Sequence, residues 1–404
     1  MRRRTTALLG LVTLAALLPP PAAFADPGAP AGRAGSGTTT LPGMPERLPD
    51  GQEGCNTHRG RPTPAAPWTR RALGLDQVWK LSRGRGTTVA VVGTGVSAAP
   101  AVLAGRVTAL GAADRDCVGR GTFQAGLVAG ASLPGQGFSG VAPAARILAV
   151  RGTGERGEPD PALLAAGVRK AAEAGADVIT VTAPLDGSLP AVRAAMAAAA
   201  RYDSLVVVPA AVDAAPRGGS GGDQGPPAPA PPPEALAVLD SGPQGTRNPA
   251  APGYTRADLT APGAALVGPG PVGDGKWTAS GSSLAAALTA GAAALVRSYH
   301  PALRADQVRE RLLSGAYPGA GLPALDPYGA VSGPARPAAA APAAEKPVAL
   351  PEQTDTGAAR STALLVTAVS VGTILAVAFA AAVLPRGRAR NWRPGRYEAD
   401  RRAG

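Results

Sequence analysis

Hydrophobic positions along this chain come in short runs set between Gly- and Pro-rich stretches. Residues 87–92, 146–150, 177–181, 205–208 and 235–239 are compact runs dominated by Val, Ile, Leu and Ala. Short apolar runs of this kind predict strands buried on both faces, as in a parallel sheet. Residues 161–174 and 189–201 instead carry their apolar positions at helical spacing. Residues 71–81 predict a short helix through Leu73, Leu75, Val78, Trp79 and Leu81, and Gly84-Arg85-Gly86 breaks it. Strands alternating with helices predict an α/β domain with a central parallel sheet and right-handed crossovers.

A later stretch organises the rest. Thr278-Ala279-Ser280-Gly281-Ser282-Ser283 runs into an Ala-rich apolar segment that continues to about Tyr299. Ser282 or Ser283 is placed to cap that helix, since a serine oxygen accepts a first-turn N–H. The residues alone leave two readings open: a capped core helix, or a nucleophilic serine at Ser283 held at a helix N-terminus. Residues 306–313 predict the last helix of the domain.

The flanks read differently. Arg2–Arg4, an apolar run over 7–18 and Ala23-Phe24-Ala25 make residues 1–25 an export signal. Residues 26–69 form an extended arm, and 70–332 the folded domain. Residues 216–233 are a flexible or polyproline surface insertion, and 333–360 a Pro/Ala linker. Residues 361–384 are uncharged and long enough to span a bilayer. The Arg-rich tail, 385–404, marks the cytoplasmic side. The chain is thus expected to cross the cell membrane once, with an exported N-terminal domain.

Charge follows this layout. Of the net +12, Arg2–Arg4 contribute +3 and residues 386–402 contribute +5, which leaves +4 for everything between. The basicity belongs to membrane topology and argues against a nucleic-acid face. Cys55 and Cys117 lie in the exported part. An even count in an oxidising compartment favours a disulfide over two free thiols. Two cysteines and two distant histidines exclude an ordinary zinc site. No oxygen-ligand cluster for calcium stands out, and no cofactor is implied.

Several blocks, in order, carry a resemblance. They are Val89-Ala90-Val91-Val92-Gly93-Thr94-Gly95, Asp116-Cys117-Val118-Gly119-Arg120-Gly121-Thr122, Gly140-Val141-Ala142-Pro143, Asp258-Leu259-Thr260-Ala261-Pro262-Gly263, and Ser280–Gly291. Over about residues 70–332 the chain resembles the subtilisin-like serine proteases (peptidase S8). Within them it looks like the mycosins, membrane-anchored subtilases of type VII secretion systems. The resemblance implies a three-layer subtilase fold and a Ser-His-Asp triad. It aligns Ser283 with the nucleophile, Gly93 with the aspartate and Arg120 with the histidine. Glycine orients nothing, and a guanidinium stays protonated and cannot serve as general base.

The oxyanion-hole asparagine aligns with Asp213, whose carboxylate would repel a developing oxyanion. Pro184 falls on the edge that pairs with substrate, where it removes an N–H. Ala287 replaces a proline of the serine block. Two histidines remain as substitute bases: His300, expected at the far end of the serine helix, and His58, which a Cys55–Cys117 link would bring near Arg120. Arg120 itself reads as drift after catalysis was lost, or as a carboxylate binder that pairs with Asp213 or an acidic peptide.

Three functions follow from the resemblance. The first is a pseudoprotease acting as a structural component of a type VII secretion membrane complex, partnered with that system's membrane subunits and with self-association open. The second is an active serine endopeptidase that cleaves exported proteins. The third is a peptide-binding module that does not cleave.

Overall fold

The computed structural model describes residues 40–213, 226–319, 321–334 and 357–389. The export signal (1–25), residues 26–39 of the arm, 214–225 of the Pro-rich insertion, 335–356 of the linker and 390–404 of the tail lie outside the described residues.

The chain folds from the arm into two short helices, α1 (Trp68–Ala72) and α2 (Leu75–Val78). One helix was expected over 71–81. Gly74 takes a left-handed φ of 56° and splits it, so that Leu73 and Leu75 both reach the core. The domain then runs β1 (Thr88–Gly93), β2 (Val107–Leu110), α3 (Arg120–Ala129), β3 (Arg146–Arg151), α4 (Pro161–Glu173), β4 (Val178–Val181), α5 (Pro190–Arg201) and β5 (Leu205–Pro209). It continues with β6 (Leu236–Ser241), β7 (Leu259–Pro262), β8 (Leu266–Pro269), β9 (Lys276–Ala279), α6 (Ser282–Tyr299), α7 (Ala305–Ser314) and α8 (Pro327–Ser332).

Seven strands form one sheet in the order β2-β3-β1-β4-β5-β6-β7, every pair parallel. β1 shows why its sequence reads as an unbroken apolar run. Val89 and Val91 enter the core under α3 and α6, while Ala90 and Val92 enter the core under α4 and α5. With both faces covered, alternation disappears from the sequence. The result is a three-layer α/β fold, as expected. β2 escapes the pattern because none of its four residues is fully buried, β7 because half-buried Thr260 interrupts its run, and β8 and β9 because they form a separate antiparallel hairpin.

Helix α6 is buried along residues 282–297. Its Ala and Gly positions let it lie close against β4, β5, β6 and β7 on one side and α3 on the other. Gly291 is one such contact, since a Cβ there would come within 2.8 Å of Val141 Cβ.

Residues 226–233, the described part of the Pro-rich insertion, run along the surface and are pinned to it. Ala228 is buried, Gly187 N–H donates to Ala230 O (2.9 Å), and Arg256 Nη2 donates to Pro232 O (2.9 Å). Prolines there present carbonyls without needing partners for N–H groups, so neighbouring loops supply the donors.

The arm is pinned to the domain. Met44 N–H donates to Thr278 O (2.8 Å), and Arg61 exchanges two backbone bonds with Lys276 (2.8 and 3.0 Å), so two passes of the arm extend the β8–β9 hairpin. Cys55 and Cys117 form a disulfide. Beside it, Asn56 N–H donates to Cys117 O (2.7 Å).

A second unit holds α9 (Gly357–Ala389), whose segment Arg360–Ala389 is long and apolar enough to cross a membrane.

Candidate functional site

The order of the sheet reverses at β1, and the carboxyl ends of β1, β4 and β5 open onto one cleft. Open parallel sheets bind ligands at such a switch point. Gly93 ends β1, Asp213 follows β5, Arg120 is the first residue of α3, and Ser283 the second of α6. Residues separated by up to 190 positions in the chain are thereby gathered at one edge of the sheet.

Ser283 is fully buried. Neither serine caps α6, contrary to expectation: the cap residue is Gly281, with φ 144°, and no side chain of the helix serves as cap. The carboxylate of Asp213 does that work from across the cleft. Its Oδ1 accepts Ser283 N–H (2.8 Å), and its Oδ2 accepts Ser283 Oγ–H. A carboxylate is favourable at this positive helix end. Gly281 is required for the approach, since a Cβ there would lie 2.3 Å from Asp213 Cγ.

Arg120 closes the cluster. Its Nη2 donates to Asp213 Oδ2, to Ser280 O (3.1 Å) and to Ser283 Oγ (3.4 Å). The two charged side chains are 3% and 8% exposed, so this is a buried ion pair. A cation at the first position of α3 opposes the helix dipole, and the Asp213 carboxylate offsets it. Arg120 Nε finds no partner. Asp116 fixes the start of α3: Oδ1 accepts Gly119 N–H (2.8 Å), and Oδ2 accepts both Thr122 N–H and its hydroxyl (2.7 Å each).

At Gly93, Thr182 from the loop after β4 fills the space. A Cβ on Gly93 would lie 2.2 Å from Thr182 Cγ2. Thr182 Oγ1 is buried without a partner. Pro184 lies two residues on and lines the cleft with Thr182, Arg120 and Asp213; the arm closes it through Met44 and Arg47, leaving a cavity of about 710 Å³.

Neither histidine reaches this cluster. His58 is exposed, its backbone N–H bonds Asn56 Oδ1 (3.1 Å), and it does not line the cleft. His300 closes the far end of α6, where Nε2 meets Val331 O (2.8 Å). Ala287 lies buried inside α6 and continues the helix. Among the described residues no group of three or more His, Cys, Asp or Glu comes together.

A second relay, unseen in the sequence, lies beside the first. Ser282 Oγ donates to Asp240 Oδ1 (2.6 Å), which also accepts from Arg247 Nε (2.9 Å). Each serine at the start of α6 thus leans on an Asp–Arg pair. Asp240 is next to last in β6 and Arg247 follows it across one turn, so that pair is local, whereas Ser282 lies 42 positions from Asp240 in the chain.

The fold and these positions define a subtilase scaffold, and the comparisons agree. The model of the subtilase family matches residues 84–331, and the chain belongs to that family. Mycosin-3 of Mycobacterium tuberculosis (strain ATCC 25618 / H37Rv) is 33% identical over 372 residues, covering 74% of this chain and 79% of that protein. Among solved structures, the serine protease MycP1, described as an essential component of the type VII (ESX-1) secretion system, is 27% identical with a TM-score of 0.57, covering 72% of this chain and 95% of that one. MycP3 protease from the type VII (ESX-3) secretion system is 28% identical with a TM-score of 0.55, covering 74% and 95%. The chain is a mycosin-like subtilase.

Proposed function

We infer that this chain is a pseudoprotease that serves as a structural, membrane-anchored component of a type VII secretion complex. The observation that carries the reading is the Arg120–Asp213 ion pair over Ser283. Acyl transfer by a serine needs a base to take its proton, a group to orient that base, and donors facing the oxyanion. Here the base position holds a guanidinium, the orienting position is Gly93 filled over by Thr182, and the oxyanion position holds a carboxylate. Both Asp213 oxygens are engaged by Ser283, one on its amide and one on its hydroxyl, so the group that should polarise a substrate anchors a helix.

The apolar α9 segment and the basic tail support a single membrane anchor with the domain exported and the tail cytoplasmic. Similarity to MycP1 and MycP3 supports membrane subunits of such a system as partners. Pro184 on the cleft counts against a module that captures peptides by strand addition. Family membership and the retained Ser283 favour the second reading, an active endopeptidase.

Treatment of the purified full chain with a fluorophosphonate probe separates the two. No labelling of Ser283 is expected, and co-purifying membrane subunits should persist in Ser283→Ala while disappearing when residues 361–384 are deleted. Labelling at Ser283 would overturn the pseudoprotease reading.

A further inference from the structure

A second cavity, of about 410 Å³, lies between the arm and the β8–β9 hairpin and shares no lining residue with the cleft. Its wall carries Arg59 from the arm, Gly135 and Gln136 from the loop after α3, and Gly273, Gly275 and Lys276 from the hairpin. Lys276 is held at both edges of its strand: Arg61 pairs with it on one side and Pro269 on the other. Its side chain turns inward and the residue is 2% exposed.

The ammonium donates to Gln136 Oε1 (2.9 Å) and to Asp274 O (3.0 Å), and it sits 5.2 Å from the centroid of the Phe138 ring. It forms no ion pair with a carboxylate among the described residues. A lysine has three donors, and two here meet neutral oxygens. A cation out of water without a counterion is costly. Burial pushes this ammonium's pKa below its ordinary value, with the Asp274 charge working against the shift. Only four of the 40 Lys and Arg residues are lysine, so a compact ammonium here departs from the chain's habit.

The rest of the wall has the same polarity. Arg59 is exposed and has no partner of its own among the described residues. The N–H groups of Gly135, Gly273 and Gly275 donate to no protein acceptor there. Free amide donors beside cations give the wall a positive character. Asp274 is the one acid on the wall, and its Oδ1 is engaged by Ala101 N–H (2.7 Å).

We propose that this cavity is a binding site for an anionic oxygen group, a carboxylate or a phosphate, held by Lys276 Nζ and Arg59. Such a ligand supplies the counterion that Lys276 lacks and ties the arm to the hairpin. The site is independent of whether Ser283 reacts.

The test is thermal melting of the full chain in detergent, followed by tryptophan fluorescence, with succinate or inorganic phosphate replacing chloride at constant ionic strength. A rise in midpoint of about 3 °C or more is expected for at least one of the two anions, by linkage of binding to folding. A rise with succinate alone identifies a carboxylate site, with phosphate alone a phosphate site, and with both an unselective one. The rise should vanish in Lys276→Met and at least halve in Arg59→Gln. Equal midpoints in all three salts overturn the proposal, as does an undiminished rise in the variants. Should Lys276→Met fail to fold, Arg59→Gln decides, because Arg59 is exposed.

Discussion

Asp213 holds Arg120 with one carboxylate oxygen and the amide of Ser283 with the other, so one side chain joins the start of α3 to the start of α6. The two charges are out of water and depend on each other. Removing one partner of such a buried pair leaves an uncompensated charge, at a cost of about 3–5 kcal/mol. Arg120→Met and Asp213→Asn should each destabilise by this order. The double variant should cost less than the two single changes together, with a coupling of about 1–3 kcal/mol in a denaturant double-mutant cycle.

Restoring the aligned triad should not restore catalysis by itself. Gly93→Asp places a Cβ 2.2 Å from Thr182 Cγ2, and such overpacking costs about 1–3 kcal/mol. The expected outcome is that Gly93→Asp with Arg120→His and Asp213→Asn stays unlabelled by a fluorophosphonate. Addition of Thr182→Ala, which opens the space for the carboxylate, should bring labelling at Ser283.

The Cys55–Cys117 disulfide closes a loop of 62 residues. Constraining a loop of that length in the unfolded chain stabilises by about 4 kcal/mol in the chain-entropy model. Cys55→Ala with Cys117→Ala should therefore lower the melting midpoint and raise proteolysis within the arm, read by limited digestion.

Lys276 gives a pH signature. Its folded-state pKa lies below the ordinary 10.5, chiefly through burial. Between those two values the unfolded chain holds a proton that the folded chain lacks, so stability rises with pH through that window; below it the full penalty applies. The midpoint of the wild type relative to Lys276→Met should climb as pH is raised towards 10.5.

The sequence by itself determined the layers and the long apolar helix at 360–389. Buried parallel strands need apolar runs such as 205–208, and spanning helices need apolar length, so both demands are written locally. The serine at the head of a small-residue helix was legible for the same reason. Tertiary structure decided what Gly93, Arg120 and Asp213 do. Arg120 and Asp213 are 93 positions apart, and only the convergence of β5, α3 and α6 makes them a buried ion pair. Thr182 covers Gly93 because β1 and β4 are neighbours in the sheet, although β2 and β3 intervene in the chain. The cap of α6 passed from its own serines to Asp213, since Gly281, at a positive φ and without a side chain, left room for a carboxylate. The Ser282–Asp240 bond and the surroundings of Lys276 likewise depend on which segments meet. Sequence patterns record burial along one segment, whereas pairing of charges is settled by contacts between segments.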